Sequence, residues 1–200
     1  MLIVMSLLVV FCLQQFMAPT NAVEQSKEFA TRVLPLSGFP TLNYAMENAD
    51  LVGLYFAASW CPMSKEPTDL LGQVFPSYTL LHRSPTPASR QKFAIVFVTS
   101  DDVEEDMLSY AKPGWINVPF DSEERVALKK HFATCAKREL QDLGIDRKHE
   151  IPSLFIFDGQ THGLLTSHGV EDLYKHKSMK AFDYWKDLQQ RVRKLQKTFS

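Results

Sequence analysis

Three short apolar runs stand out in the middle of the chain. They cover Leu51 to Ala58, Phe93 to Ser100 and Ile151 to Asp158. Such runs, rich in β-branched and aromatic residues, are typical of strands buried on both faces of a largely parallel sheet. Leu164 to His168 follows the third run after a tight turn over Gly159 to Gly163, so we expect the two segments to pair as a hairpin.

Amphipathic segments separate these strands and predict helices, because their apolar residues recur at steps of three and four. The first helix is expected over Ser64 to Val74, and a short one with an acidic start over Val103 to Ala111. A longer helix starts near Asp121 and closes at Gly144. Its predicted apolar face contains Leu128, Phe132, Cys135, Ala136, Leu140 and Leu143. Alternating strands and helices predict an α/β fold.

The chain ends in a predicted amphipathic helix. Its apolar stripe consists of Met179, Phe182, Trp185, Leu188, Val192, Leu195 and Phe199. This stripe is expected to face a core or a partner. The other face is mainly basic between Lys175 and Lys197, and we interpret it as a solvated helix face rather than a specific patch for anions.

The N-terminal segment differs from everything that follows it. Met1 to Ala22 contains no charged side chain, and Leu2 to Leu13 is apolar apart from Ser6. This run is shorter than the about 20 residues that cross a bilayer, but it is typical of the apolar part of a secretory signal, and small residues follow it. We therefore expect residues 1–22 to be a cleaved signal peptide, although no Lys or Arg precedes the apolar run. An uncleaved membrane anchor and a buried core segment are the alternatives.

This expectation also bears on the compartment and the domain boundary. The C-terminal residues Lys197-Thr198-Phe199-Ser200 are not an ER-retrieval signal. We expect the protein in the secretory pathway or outside the cell, with no stable membrane span. Residues 23–200 suffice for one ordinary domain, whose core we place at about residues 36–188.

Composition and net charge exclude some classes of function for this protein. The chain has 200 residues, of which 45% are hydrophobic and 22% charged, and its formal net charge is −1. These fractions are typical of a globular protein. The net charge argues against nucleic acid as a partner, because phosphate binding requires clustered Lys and Arg. The histidines show no ligand spacing with cysteines or carboxylates, so we expect no metal site. We also expect no resident cofactor.

The candidate chemistry lies at Trp60-Cys61-Pro62-Met63-Ser64, between the first predicted strand and the first predicted helix. A cysteine in the first turn of a helix meets the positive end of the helix dipole and unpaired backbone N–H groups, which favour the thiolate. Pro62 suits the first helical position, where a backbone N–H would be unpaired. Trp60 offers an apolar wall for a substrate chain. We interpret Cys61 as an exposed nucleophile; a small buried core residue is the alternative.

Four segments of the chain carry a family resemblance. They are Phe56-Ala57-Ala58-Ser59-Trp60-Cys61-Pro62, Val96-Phe97-Val98-Thr99-Ser100-Asp101, Trp115-Ile116-Asn117-Val118-Pro119-Phe120 and Ile151-Pro152-Ser153-Leu154. Over about residues 36–188 the chain resembles the thioredoxin superfamily, and within it the nucleoredoxin and tryparedoxin branch. The resemblance implies a thioredoxin fold, with a central mixed β-sheet flanked by helices.

The resemblance also implies the surface that meets a substrate. A cis peptide bond before Pro152 would lie against Cys61 and leave backbone groups free to pair with an extended peptide. The substrate-binding residues it implies are Trp60, Pro62, Met63, Ile151 and Pro152. An ordinary trans proline at the start of a strand is the alternative for Pro152.

Two positions depart from the family pattern. Ser64 stands where the family has its second site cysteine, and Tyr55 where many thioredoxins have a buried acid. A mixed disulfide is normally released by attack of the second thiolate, which a hydroxyl group cannot replace. Ser64 can still donate a hydrogen bond to the Cys61 thiolate. Cys61 and Ser64 are therefore the candidate catalytic residues of a site that captures a disulfide.

Cys135 is the other cysteine of the predicted mature chain, since Cys12 lies in the predicted signal. It lies on the apolar face of its predicted helix, which favours a buried core residue. The helix between it and Leu143 would be about 12 Å long, whereas a disulfide needs Cα atoms within about 7 Å. A Cys61–Cys135 bridge is the less favoured alternative.

Three functional hypotheses remain. The first is thiol–disulfide exchange through one nucleophilic cysteine: Cys61 forms mixed disulfides with protein or low-molecular-weight partners, and an external thiol such as glutathione releases them. The second is a binding module, which retains a client through Cys61 or recognises a peptide at Trp60 and Pro152 without turnover. The third is a structural relic of the fold without a redox role.

Overall fold

The computed structural model of the protein describes residues 38–81 and 90–198. The predicted signal segment, residues 1–22, lies outside the described residues. No helix within those two described stretches is both long and apolar enough to cross a bilayer.

A five-stranded mixed sheet forms the centre of the described structure. Its strands are β1 (Ala49–Ala57), β2 (Gln91–Thr99), β3 (Ile116–Asn117), β4 (Ser153–Asp158) and β5 (Leu164–Thr166). They lie side by side in the order β3-β2-β1-β4-β5. β1 and β3 run parallel to β2, whereas β4 is antiparallel to both β1 and β5. The predicted hairpin after the third apolar run is therefore confirmed.

Helices flank this sheet. They are α1 (Pro40–Asn48), α2 (Pro62–Leu81), α3 (Glu104–Tyr110), α4 (Glu123–His131), α5 (Leu140–Leu143), α6 (Gly169–His176) and α7 (Ser178–Thr198). The sheet thus has the mixed topology and the flanking helices that the resemblance implies. α7 buries Ala181, Phe182 and Trp185, and its Arg193 forms an ion pair with the buried Asp158 of β4.

The core divides into two clusters, because successive side chains of a strand point to opposite faces of the sheet. One face buries Tyr55, Phe97, Leu154, Phe182 and Trp185, together with Leu71 and Val74 of α2. The other buries Leu54, Phe56, Val96, Phe155 and Leu128, together with Leu42 and Met46 of α1. The central strands are therefore covered on both sides, as their continuous apolar runs predict.

The prediction of one long helix from Asp121 to Gly144 is wrong. α4 ends at His131, and the chain then turns through Ala133, whose φ is 47°. A 3₁₀ turn over Lys137–Glu139 leads into α5. The break allows the buried ammonium of Lys129 to pair with Glu139; in a continuous helix these residues would be about 15 Å apart along the axis. The spacing of apolar residues, from which the long helix was predicted, carries no information about such an ion pair.

Two other helices differ from the prediction. α2 begins at Pro62 and continues to Leu81, past the expected end at Val74. α1 (Pro40–Asn48) is a helix that the sequence pattern did not predict. Its Leu42 and Met46 are fully buried, so packing on the sheet stabilises a helix whose short amphipathic pattern was not recognised.

Candidate functional site

Cys61 lies in the turn between β1 and α2. Its N–H donates to the Ala58 carbonyl at 3.2 Å, and its own carbonyl accepts from the Ser64 N–H at 3.0 Å. Pro62 is the first residue of α2, so the predicted placement of Cys61 at a helix N-terminus is confirmed. The residue Cys61 is only 9% exposed and is buried. The prediction that Cys61 is exposed is therefore wrong, because the Ile151–Pro152 segment packs against it.

The Ile151–Pro152 peptide lies against this cysteine. It is cis, as the family resemblance implies. The Cys61 Sγ atom is 4.0 Å from the Ile151 carbonyl oxygen, a contact at the limit of a thiol hydrogen bond. The fold thus brings together two segments that are 90 residues apart in the chain.

The predicted substrate-binding residues next to Cys61 in the sequence are open to solvent. Trp60 is 43% exposed and Met63 is 68% exposed, and Pro62 is exposed as well. The indole Nε1 of Trp60 donates to the Ser100 carbonyl at 3.0 Å, which fixes the ring relative to the end of β2. Arg138 covers one face of this ring, with its Cζ atom 4.0 Å from the ring centroid. Sequence analysis did not identify Arg138.

A buried carboxylate holds the turn that precedes Trp60. Asp101, at 4% exposure, accepts hydrogen bonds from the backbone N–H and the hydroxyl of Ser59. It also accepts one from the hydroxyl of Thr99 at 2.6 Å. In the sequence, Asp101 appeared only as the last residue of a segment that carries the family resemblance. The structure shows that it fixes the loop leading to Cys61.

Ser64 is fully buried, and its Oγ atom forms no hydrogen bond with any described residue. The hydrogen bond that we expected from this hydroxyl to Cys61 is therefore not formed in the structure. Ser64 is the third residue of α2, and it is fully enclosed by the fold. Its hydroxyl is a buried polar group that lacks a partner.

Behind Ser64 lies a chain of buried hydroxyl groups. Tyr55 Oη donates to the Ser64 carbonyl oxygen at 3.3 Å and lies 2.9 Å from Thr68 Oγ1, which in turn lies 2.8 Å from Tyr110 Oη. Burial raises the pKa of Tyr55 well above its usual range. Burial also raises the pKa of Tyr110, to about 12. Both phenols therefore stay neutral at physiological pH, so the position of the family's buried acid carries no charge here.

Cys135 is buried and, like Cys61, forms no disulfide. It lies in the irregular segment after α4 rather than on a helix face, but its predicted burial is confirmed. Burial raises the pKa of its thiol, and the nearby Glu139 adds to this, against opposing effects of Arg147 and Lys129. The buried Cys135 thiol is therefore a poor nucleophile at neutral pH.

No group of three or more His, Cys, Asp and Glu side chains among the described residues is arranged to hold a metal ion. The site consists of one sulfur, a cis-proline segment and an apolar surface around Trp60.

Comparison with known proteins identifies the family. A family model described as thioredoxin-like matches residues 48–162, which include the first four strands and Cys61. The chain belongs to the thioredoxin-like family. Nucleoredoxin of Danio rerio is 37% identical over 75 residues, which are 37% of this chain and 16% of that protein. Tryparedoxin of Trypanosoma brucei brucei is 29% identical over 99 residues, 49% of this chain and 61% of that protein.

These relatives identify the nucleoredoxin and tryparedoxin branch of the thioredoxin superfamily. The chain spans less than a fifth of the length of the nucleoredoxins that it matches. Among solved structures, native tryparedoxin I from Crithidia fasciculata is 27% identical, with 66% of this chain and 77% of that chain covered and a TM-score of 0.47. Proteins of the thioredoxin-like family act on protein or small thiol substrates.

Proposed function

We propose that the protein carries out thiol–disulfide exchange through Cys61 alone. The Cys61 thiolate attacks one sulfur of a substrate disulfide, forms a mixed disulfide and expels the other sulfur as a thiolate, which takes a proton from solvent. An external thiolate, of glutathione or another low-molecular-weight thiol, then attacks the substrate's sulfur in the mixed disulfide. Cys61 leaves as a thiolate, and the substrate departs as a disulfide with the external thiol. The two steps exchange partners without net oxidation.

The observation that carries this proposal is the position of Cys61 between the N-terminus of α2 and the cis Ile151–Pro152 peptide. Cys61 directly precedes Pro62, the first residue of α2, and its sulfur contacts the Ile151 carbonyl oxygen at 4.0 Å. The exposed Trp60 and Met63 supply an apolar surface for the substrate beside the sulfur. Substrates of this class are protein disulfides and low-molecular-weight disulfides.

The requirement for an external thiol follows from Ser64 and Cys135. Ser64 occupies the inward position one turn after Cys61 and has no sulfur to attack a mixed disulfide. Cys135 is fully buried with a raised thiol pKa. Neither side chain is suited to release a substrate held on Cys61.

The test is adduct formation with a neutral small disulfide, hydroxyethyl disulfide, followed by intact mass and peptide mapping. We expect one mixed disulfide on Cys61 that excess glutathione removes. Cys61→Ser should form no adduct in the mapped site peptide, whereas the matched control Cys135→Ser should react like the wild type. Adduct formation on Cys135 with Cys61 unmodified would overturn the proposal.

The lack of an internal resolving group favours a second function, retention of a client protein through a persistent mixed disulfide. The two functions differ in the release step. If glutathione at millimolar concentration frees a trapped protein within minutes, exchange is the function. A protein adduct that survives this treatment, while the hydroxyethyl adduct is released, would instead establish retention.

A further inference from the structure

Arg138 lies at the edge of the site and is held in a defined position. Its guanidinium stacks on the Trp60 ring at 4.0 Å, and its Nη2 donates to the Ser100 carbonyl at 2.9 Å. The Trp60 indole donates to the same carbonyl. Trp60 and Arg138 thus share one anchor, and the ring that Arg138 covers belongs to the residue immediately before Cys61.

Glu139, the residue that follows Arg138, fixes the position of the backbone at Arg138. Glu139 accepts hydrogen bonds from the Ser100 hydroxyl at 2.6 Å and the Ala136 N–H at 2.8 Å. It also pairs with Lys129, whose side chain is 3% exposed. Burial alone would raise the pKa of Glu139, but Lys129 and these hydrogen bonds outweigh it and hold the pKa below its usual range. A half-buried, ionised Glu139 therefore anchors the segment from which Arg138 reaches Trp60.

The Arg138 guanidinium has N–H donors left for a further ligand. It has five N–H donors, more than its contacts with Ser100 and Asp102 use. The Asp102 contact is an ion pair of 2.8 Å, but the Asp102 side chain is 73% exposed and that of Arg138 is 43% exposed. An ion pair so open to solvent is weak, so a second carboxylate can compete for Arg138.

The chain segment that begins at Arg138 also contacts the Cys61 sulfur. It runs from Arg138 on Trp60 to Ile151, whose carbonyl oxygen lies 4.0 Å from Cys61 Sγ. Cys61 thus has the Ile151–Pro152 peptide in contact with its sulfur, and it directly follows Trp60, whose ring stacks on the Arg138 guanidinium. Planar guanidinium groups bind carboxylates through paired hydrogen bonds.

We propose that Arg138 binds a carboxylate of the substrate beside Trp60 and makes Cys61 selective for low-molecular-weight disulfides that carry a negative charge. This inference rests on the proposed exchange at Cys61. It assigns to Arg138 a role in specificity that sequence analysis did not detect. Asp102 is the internal competitor for the same guanidinium, so its removal should strengthen the selectivity.

The experiment compares three small disulfides of similar size: dithiodipropionate (anionic), hydroxyethyl disulfide (neutral) and cystamine (cationic). The rate of adduct formation at Cys61 is measured for each by intact mass at low salt. For the wild type, we expect the anionic disulfide to react about threefold to fivefold faster than the neutral one, the range of an exposed ion pair, and cystamine to react slowest. At 1 M salt this preference should largely disappear, because the Debye length falls to about 3 Å.

The variants separate recognition from structure. Arg138→Gln should abolish the ratio of anionic to neutral rates, Arg138→Lys should retain part of it, and Asp102→Asn should increase it. The matched control Lys137→Gln, a change at the exposed neighbouring cation, should keep the wild-type ratio. If Arg138→Gln lowers all three rates together, Arg138 has only a structural role and this inference is overturned while exchange at Cys61 stands. If none of the disulfides reacts at Cys61, both the inference and the proposed function are overturned.

Discussion

Asp101 and Ser59 are joined by two hydrogen bonds in the wall of the site: the Ser59 N–H donates to Asp101 Oδ1 at 2.9 Å, and the Ser59 hydroxyl donates to the same oxygen at 2.8 Å. Because Ser59 directly precedes Trp60, this pair couples the end of β2 to the loop that presents Cys61. Hydrogen bonds to a charged acceptor are the stronger ones in proteins.

We predict that Asp101→Asn lowers the free energy of unfolding by about 2 kcal/mol, because it removes the charge from a buried acceptor of several hydrogen bonds. Hydrogen exchange at the Ser59 amide should become faster. Urea unfolding and amide exchange provide the measurements. The control is Asp106→Asn, an exposed carboxylate in the first turn of α3, expected to change stability by less than about 1 kcal/mol. Equal effects of the two substitutions would contradict the prediction.

The strands and the location of Cys61 could be predicted because each depends on local sequence. A continuous apolar run such as Val52 to Ala57 has few alternatives to a strand buried on both faces. The Trp60-Cys61-Pro62 segment combines a strand end with a proline suited to the first helical position.

The remaining features depend on contacts between distant residues. The break after His131 accompanies the buried pair of Lys129 and Glu139, and Arg138 reaches Trp60 only because of that break. Likewise, the burial of the Ser64 hydroxyl without a partner results from the packing of the folded chain around it. The periodicity of apolar residues predicts which faces of helices and strands are buried. It carries no information on which charged side chains form pairs between distant parts of the chain.

The pairing of Asp158 with Arg193 predicts a pH dependence of stability. Burial would raise the pKa of Asp158, but hydrogen bonds from Arg193 and from the N–H groups of Gln160 and Thr161 outweigh it, so the pKa lies below its usual range. A carboxyl group whose pKa is lower in the folded than in the unfolded state stabilises the protein above about pH 4. That stabilisation is lost as the pH falls through the folded-state pKa.

We therefore expect Asp158→Asn to destabilise the protein by about 3 kcal/mol at pH 7, because Arg193 loses its partner, and by less at pH 2. Urea midpoints at the two pH values measure the difference. Asp187→Asn removes an exposed carboxylate paired with Arg191 on the same helix and serves as control, with less than about 1 kcal/mol expected at both pH values. A loss in Asp158→Asn that is independent of pH would disagree with this assignment.

Gly159 directly follows β4 at a position that has no room for a side chain. A Cβ atom placed there would lie 1.9 Å from the Ala49 carbonyl oxygen, and the Gly159 N–H donates to the Asp50 carbonyl. Gly159→Ala must separate β4 from the start of β1, so we expect a loss of about 3 kcal/mol in unfolding free energy. Gly38→Ala, where no atom lies within 4 Å of the added Cβ, is the control. Equal urea midpoints for the two variants would be inconsistent with the close approach.

Ser64 offers a test of both the missing thiol and the unpaired hydroxyl. Since the Ser64 hydroxyl is buried without a hydrogen-bond partner, Ser64→Ala should leave stability unchanged or raise it by about 1 kcal/mol. Ser64→Cys places a second sulfur one turn after Cys61 and should confer dithiol reductase activity in an insulin-reduction assay, because this thiolate can attack a mixed disulfide on Cys61. The double variant Cys61→Ser, Ser64→Cys should lack that activity, which distinguishes resolution from direct attack by the new cysteine. If Ser64→Ala instead slows adduct formation at Cys61 severalfold at unchanged stability, the hydroxyl contacts the thiolate during the reaction and the packing seen here changes on ionisation of the sulfur.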